Sequence, residues 1–122
     1  MTDTNLNKAI SYYTAMRDKN FDEMASCLHP NINFIGPLSI MDGKESVVEA
    51  AKNFSMFFKN LTIREKFHDG DKVMLALDFD CPEPIGIFRG ASLLSFNENL
   101  ISRIELFYDA RPFEKKKEEI FN

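Results

Sequence analysis

Near the end of the chain, in the stretch "SRIELFYDARPF", Arg103, Glu105, Phe107 and Asp109 stand at alternate positions. Alternate side chains of a strand share a face, so a base, two acids and a ring would lie side by side. That set suits acid–base chemistry. A carboxylic acid near rings such as Phe107 and Phe113 loses water, its charged form is disfavoured, and it can then trade a proton near neutral pH. Arg103 paired with Glu105 would hold that acid ionised and leave Asp109 as the proton carrier. Unpaired, it would be an anion site for a carboxylate or enolate. If these groups face an apolar cavity, Asp109 or Glu105 should titrate above its ordinary value. The plainer reading of the same strand buries Ile104, Leu106 and Tyr108, leaves the charged residues in water, and makes Asp109 a solvated strand end that caps the next turn.

A second group with chemical potential is the pair Tyr12–Tyr13. Neighbours on a helix are about 100 degrees apart, so at most one should look squarely inward; both could also be packing residues with their hydroxyls near the surface. His29, before Pro30 at an expected helix end, and His68, at an expected hairpin turn, lack carboxylate neighbours at metal-ligand spacing, so no metal or cofactor is expected. Cys27 and Cys81 have no C-x-x-C spacing and read as reduced residues of an intracellular protein, with the cytoplasm as the default location.

The elements that must position these residues follow from periodicity. Leu6, Ala9, Ile10, Tyr13 and Met16 predict an amphipathic helix over 4–19. Asn20 and Glu23 have capping-box spacing, so a second helix is expected over 20–28, ending before Pro30. "NINFIGP" predicts a short strand. Asp42 and Glu45 repeat the capping arrangement ahead of Val47, Val48, Ala51, Phe54, Phe57 and Phe58, the stripe of a third helix over 43–59. After Leu61 the pattern turns to alternation: "LTIREKF" and "KVMLALDFD" around the turn "HDGD", a break at "CPEP", a long strand over 85–96, a reversal at "NEN" and a last strand over 100–108. Gly86 and Gly90 are expected to be bulge or bend points of the long strand.

The 122 residues suit a single domain, and twelve phenylalanines with no tryptophan promise an interior lined by rings. A formal charge of −4 leaves no basic surface for nucleic acid, and the run Lys115–Lys117, flanked by Glu114, Glu118 and Glu119, reads as a solvated tail. No apolar run approaches the roughly 18 residues needed to span a membrane.

Three helices, a short strand and a four-stranded meander resemble the cone-shaped α+β fold of nuclear transport factor 2, ketosteroid isomerase and the SnoaL-like polyketide cyclases. The matching stretches are "YYTAMRDKNFDEMASCLHPNINFIGP", "DGKESV" and "LISRIELFYD". The resemblance implies a curled sheet around a cavity for a small apolar, polyketide- or steroid-like molecule, and a homodimer through the outer face of the sheet. It places Tyr12 where the isomerases keep a catalytic tyrosine, but Gly36 and Ser92 where they keep two acids. The limonene epoxide hydrolase pattern, two acids bridged by arginine, finds Asp80, Arg103, Glu105 and Asp109 as candidates but no arginine in "LDFD". Matched to the isomerases, the last strand turns Arg103, Glu105, Phe107 and Asp109 into the cone, and Ile104, Leu106 and Tyr108 out towards a partner. The expected catalytic set is therefore Asp109, Glu105, Arg103 and Tyr12. The expected ligand contacts are Tyr13, Met16, Phe34, Phe54, Phe58, Ser92 and Phe107. Acid–base catalysis of isomerase, cyclase or hydrolase type is one reading; a non-catalytic ligand-binding or protein-interaction module is the other.

Overall fold

The computed structural model describes residues 4–116, with side chains through Phe113. The side chains of the charged run at 114–119 lie outside the described residues. Helices α1 (Thr4–Arg17), α2 (Phe21–Ser26) and α3 (Lys44–Phe57) pack on a sheet of β1 (Leu28–Ile35), β2 (Ile40–Asp42), β3 (Asn60–Asp69), β4 (Lys72–Asp80), β5 (Ile87–Asn97) and β6 (Leu100–Tyr108), followed by a 3-10 turn (Arg111–Lys116). The strand order is β2-β1-β6-β5-β4-β3. Long antiparallel ladders join β3 to β6, while β1 lies parallel to β6. Register shifts between Ile63 and Glu65 and between Ser95 and Phe96 mark where the sheet bends, and the curled sheet with α1 and α3 across it makes the cone of an α+β fold.

Local chemistry explains most of these elements. Asn20 caps α2 by accepting a hydrogen bond from the Glu23 amide at 3.3 Å. The reversal before β6 is made by Glu98 and Asn99, both in the left-handed region at φ 55° and 65°, as a two-residue hairpin turn requires. Gly90 is no bulge, because its pairing with Leu77 and Tyr108 is regular. A Cβ there would lie 3.2 Å from the Phe107 carbonyl oxygen and 3.6 Å from the Tyr108 Cβ, so glycine permits close approach of two strands. Gly86 lies in the turn ahead of β5.

Three local expectations are corrected. The first strand begins at Leu28 and runs through Pro30, because residues 28–35 pair with β6. His29 therefore belongs to a strand, where its Nδ1 accepts from the Asn31 amide at 3.0 Å, and it does not cap a helix. Asp42 caps nothing with its side chain: it accepts from the Asn33 amide group across β1 and β2, and Gly43 at φ 92° is the cap position of α3.

The core lies between the helices and the concave face of the sheet. Ile32, Val73, Leu75, Leu77, Leu94, Ile101 and Ile104 are fully buried there, beneath Ala9, Tyr12, Tyr13 and Met24 of the helices. Lys19 ties the end of α1 to the end of α3, donating to the Ser55 carbonyl and lying 5.5 Å over the Phe58 ring. Cys27 and Cys81 are buried free thiols.

Candidate functional site

Between α1, α3 and the sheet lies a partly enclosed cavity of about 40 Å³. Helix α1 contributes Tyr12, Tyr13 and Met16, one broad patch of its inner face. Helix α3 contributes Val47, Ala50, Ala51 and Phe54. The strands supply Phe34, Met41, Phe79, Leu106 and Tyr108. These side chains are rings, thioethers and aliphatics, and the polar atoms they bring are three phenol hydroxyls. No carboxylate or imidazole lines the cavity among the described residues.

Both tyrosines of α1 face this space. They are 2% and 3% exposed, and their rings meet edge-to-face at 5.0 Å. The expectation that only one could look inward fails because the curled sheet wraps around α1 and covers a wide arc of it. Tyr13 donates to the Ser92 hydroxyl at 2.7 Å, a buried bond between helix and sheet. The Tyr12 hydroxyl has no hydrogen-bond partner among the described residues, and Tyr12 is part of the cavity lining. Burial pushes the Tyr12 phenol well above its usual value, with Tyr13 and Cys27 adding to the effect. Burial also pushes Tyr13 up to about 12, against a smaller opposing effect of its bond to Ser92. Tyr108 is likewise raised to about 12 by burial. At neutral pH all three are uncharged donors.

The last strand is turned the other way from the family-guided expectation. Ile104 is fully buried, and Leu106 and Tyr108 line the cavity. Arg103, Glu105, Phe107 and Asp109 therefore lie on the outer face. Arg103 does sit beside Glu105, at 3.7 Å, but on the convex side with both partners reached by water. Phe107 is 50% exposed and is not among the residues that line this cavity. Asp109 accepts hydrogen bonds from the Arg111 amide at 3.1 Å and from its guanidinium at 2.9 and 2.7 Å. Those bonds, the guanidinium's first, hold its carboxyl down at about 2, opposite to the rise expected of a buried proton carrier. Asp109 is thus an exposed strand end that organises the following turn. Of the apolar set expected at a partner's surface, Leu106 and Tyr108 are cavity wall and Ile104 is core.

The acid–arginine–acid set is not assembled either. Asp80 pairs with Ile87 and Arg103 with Ser95, eight residues further along β5, so roughly 27 Å of strand separates them. Of the expected ligand contacts, Tyr13, Met16, Phe34 and Phe54 line the cavity, as does Tyr12. Ser92 stands behind Tyr13, and Phe58 packs behind Phe54 and Phe79 at 5.2 and 5.4 Å. Phe79, Leu106 and Tyr108 were missed, although plain apolar alternation along β4 and β6 signals all three.

With the geometry in hand, comparison with known proteins places the chain in a class. The SnoaL-like domain family matches residues 9–104, and the chain belongs to that family. Among solved structures, a Kribbella flavida protein superposes with a TM-score of 0.87 at 21% identity, covering 95% of each chain. An NTF2-like protein of unknown function from Cytophaga hutchinsonii gives 0.79 at 19% identity over 89% of this chain and 93% of its own. A hypothetical protein of ketosteroid isomerase-like fold from Catenulispora acidiphila, in complex with trimethylamine, gives 0.72 at 15% identity over 84% and 85%. These likenesses establish the NTF2-like cone fold. Among curated proteins none matches this chain.

Proposed function

We propose that this SnoaL-like chain binds a small, mostly apolar molecule bearing a hydrogen-bond acceptor, packed by the rings of the cone and oriented by the Tyr12 hydroxyl, without acid–base catalysis at the wall. The chemistry of the lining carries this reading: phenols held protonated among apolar groups. A neutral phenol donates to a carbonyl or ether oxygen but takes no proton at neutral pH. Tyr13 spends its proton on Ser92, which leaves Tyr12 and the half-buried Tyr108 as donors, and of these Tyr12 is the fully buried one assigned to the ligand. A neighbour with this fold is in complex with the small molecule trimethylamine, which supports a small-molecule role.

Size sets a condition. About 40 Å³ holds a few waters, whereas an apolar cavity of about 150 Å³ is known to admit benzene. The cavity is therefore too small for a ring as it stands, and binding one requires part of the wall to move. Titration with simple aryl ketones, followed by NMR, tests the reading. Shifts at Tyr12, Met16 and Ala51 are expected, and shifts confined to outer-face Leu93 and Phe107, or none at all, would sink it.

The same reading includes the homodimer expected through the outer face of the sheet, formed by other residues than Ile104, Leu106 and Tyr108. Phe67, Met74 and Leu93 stand in register across three strands, with Ala76, Ala91 and Phe107 in the next row. Phe67 and Phe107 are 63% and 50% exposed. The Arg103–Glu105 and Arg64–Asp78 pairs flank these rows with both signs of charge, which a two-fold related copy can match. Sedimentation at tens of micromolar should show a dimer that Phe107→Glu breaks; a native monomer would rule it out. Two buried free thiols fit a reducing compartment such as the cytoplasm.

A further inference from the structure

Resting on the ligand-binding reading, we propose that Phe113 is a built-in plug: its ring fills an aromatic subsite next to the cavity, and a multi-ring ligand takes that subsite when the C-terminal turn lifts. Phe113 is 1% exposed although its neighbours Arg111 and Pro112 are exposed. Its ring stands edge-on to Phe88 at 4.7 Å and to Tyr108 at 5.5 Å, with Phe57 at 6.3 Å. Tyr108 is a wall of the cavity, and Phe88 stacks on a second wall residue, Phe79, at 4.8 Å and 12°. Phe113 therefore lies one ring's thickness from the cavity, and Tyr108 is the partition.

Among the described residues, what holds the turn is almost wholly local. The Phe113 amide donates to the Ala110 carbonyl at 2.9 Å, and among the described residues Arg111 bonds only Asp109. Among the described side chains of the turn, the Phe113 ring is its one anchor in the body of the protein. Lifting it would bare a slot bounded by Phe57, Phe88 and Tyr108, and Tyr108 could then swing to join that slot to the cavity. The occupant this geometry favours is a planar ligand of two or more rings: one ring in the slot, and an acceptor oxygen towards Tyr12. Apparent affinity is then reduced by the fraction of time the plug is out, so removing the ring should strengthen binding.

The probe is 2-acetonaphthone, a two-ring ketone, titrated into the full chain and into Phe113→Ala. Affinity is expected to rise tenfold or more in the variant, and amide exchange at residues 110–113 of the native chain to speed up on binding. Binding by both proteins with equal affinity and unchanged exchange overturns the plug while leaving the cavity reading intact. No binding by either overturns both. Should Phe113→Ala not fold, the exposed pair Asp109→Asn with Arg111→Gln loosens the turn without touching the core. Affinity should then rise severalfold, and an unchanged value overturns the proposal.

Discussion

The two faces of β6 make the most instructive comparison in the molecule. Ile104, Leu106 and Tyr108 point into the cone, where water is scarce and the phenol is held neutral. One residue out of step, Arg103, Glu105 and Phe107 point to solvent, where an ion pair is screened and holds its partners loosely. A strand that could serve two chemistries serves one on each side. The polar face carries charge because charge there is readily hydrated, and the apolar face carries the cavity because apolar groups and neutral hydroxyls line it more cheaply than charges do.

Substitutions on the two faces should therefore differ most in stability. Ile104→Ala is expected to cost about 2–5 kcal/mol in urea unfolding, the range for emptying a buried aliphatic site. Arg103→Ala on the outer face should stay within about 0.5 kcal/mol. Similar losses at the two positions would break the comparison.

A smaller effect sharpens it within the inner face. Ser92→Ala leaves the Tyr13 hydroxyl without its partner and should cost about 1–3 kcal/mol. Tyr13→Phe together with Ser92→Ala should cost less than the sum of the single changes, since the pair then leaves no orphaned polar group. Strict additivity would mean that the bond is absent in solution.

Titration gives the next test. The three tyrosines of the chain all have folded-state pKa values above 10, raised first by burial. Their neutral forms favour the folded state, so this contribution is complete below pH 10, where unfolded tyrosine titrates, and is lost as pH rises towards about 12. Tyrosinate absorbance should stay low at pH 10 in the folded chain and appear with unfolding. Asp109 runs in the opposite sense: its lowered pKa contributes above the ordinary carboxylate range and is lost as pH falls through about 2, so the turn should be indifferent to pH from 5 to 8.

Much of this architecture was legible in the residues. The switch from helical spacing to alternation at Leu61, the Asp-Gly turn and the Asn20 cap are local signals, and local forces decide those features. The start of β1 at Leu28 and the three-residue β2 were not legible, because pairing with distant β6 and across β1 makes them strands despite Pro30. In the site, Tyr12, Tyr13, Met16, Phe34 and Phe54 could be found from spacing and family resemblance. The face of β6 was lost where the resemblance was preferred over the apolar alternation of Ile104, Leu106 and Tyr108, which a burial argument settles correctly.

The most direct measurement is the affinity of one aryl ketone, acetophenone, for three proteins at pH 7: the native chain, Tyr12→Phe and Glu105→Gln. The native chain should bind. Loss of the Tyr12 hydroxyl should weaken binding by about twofold to tenfold, the worth of one hydrogen bond of about 0.5–1.5 kcal/mol. Glu105→Gln, on the other face, should leave affinity unchanged. Full affinity in Tyr12→Phe with loss in Glu105→Gln would put the functional site on the outer face and contradict the cavity.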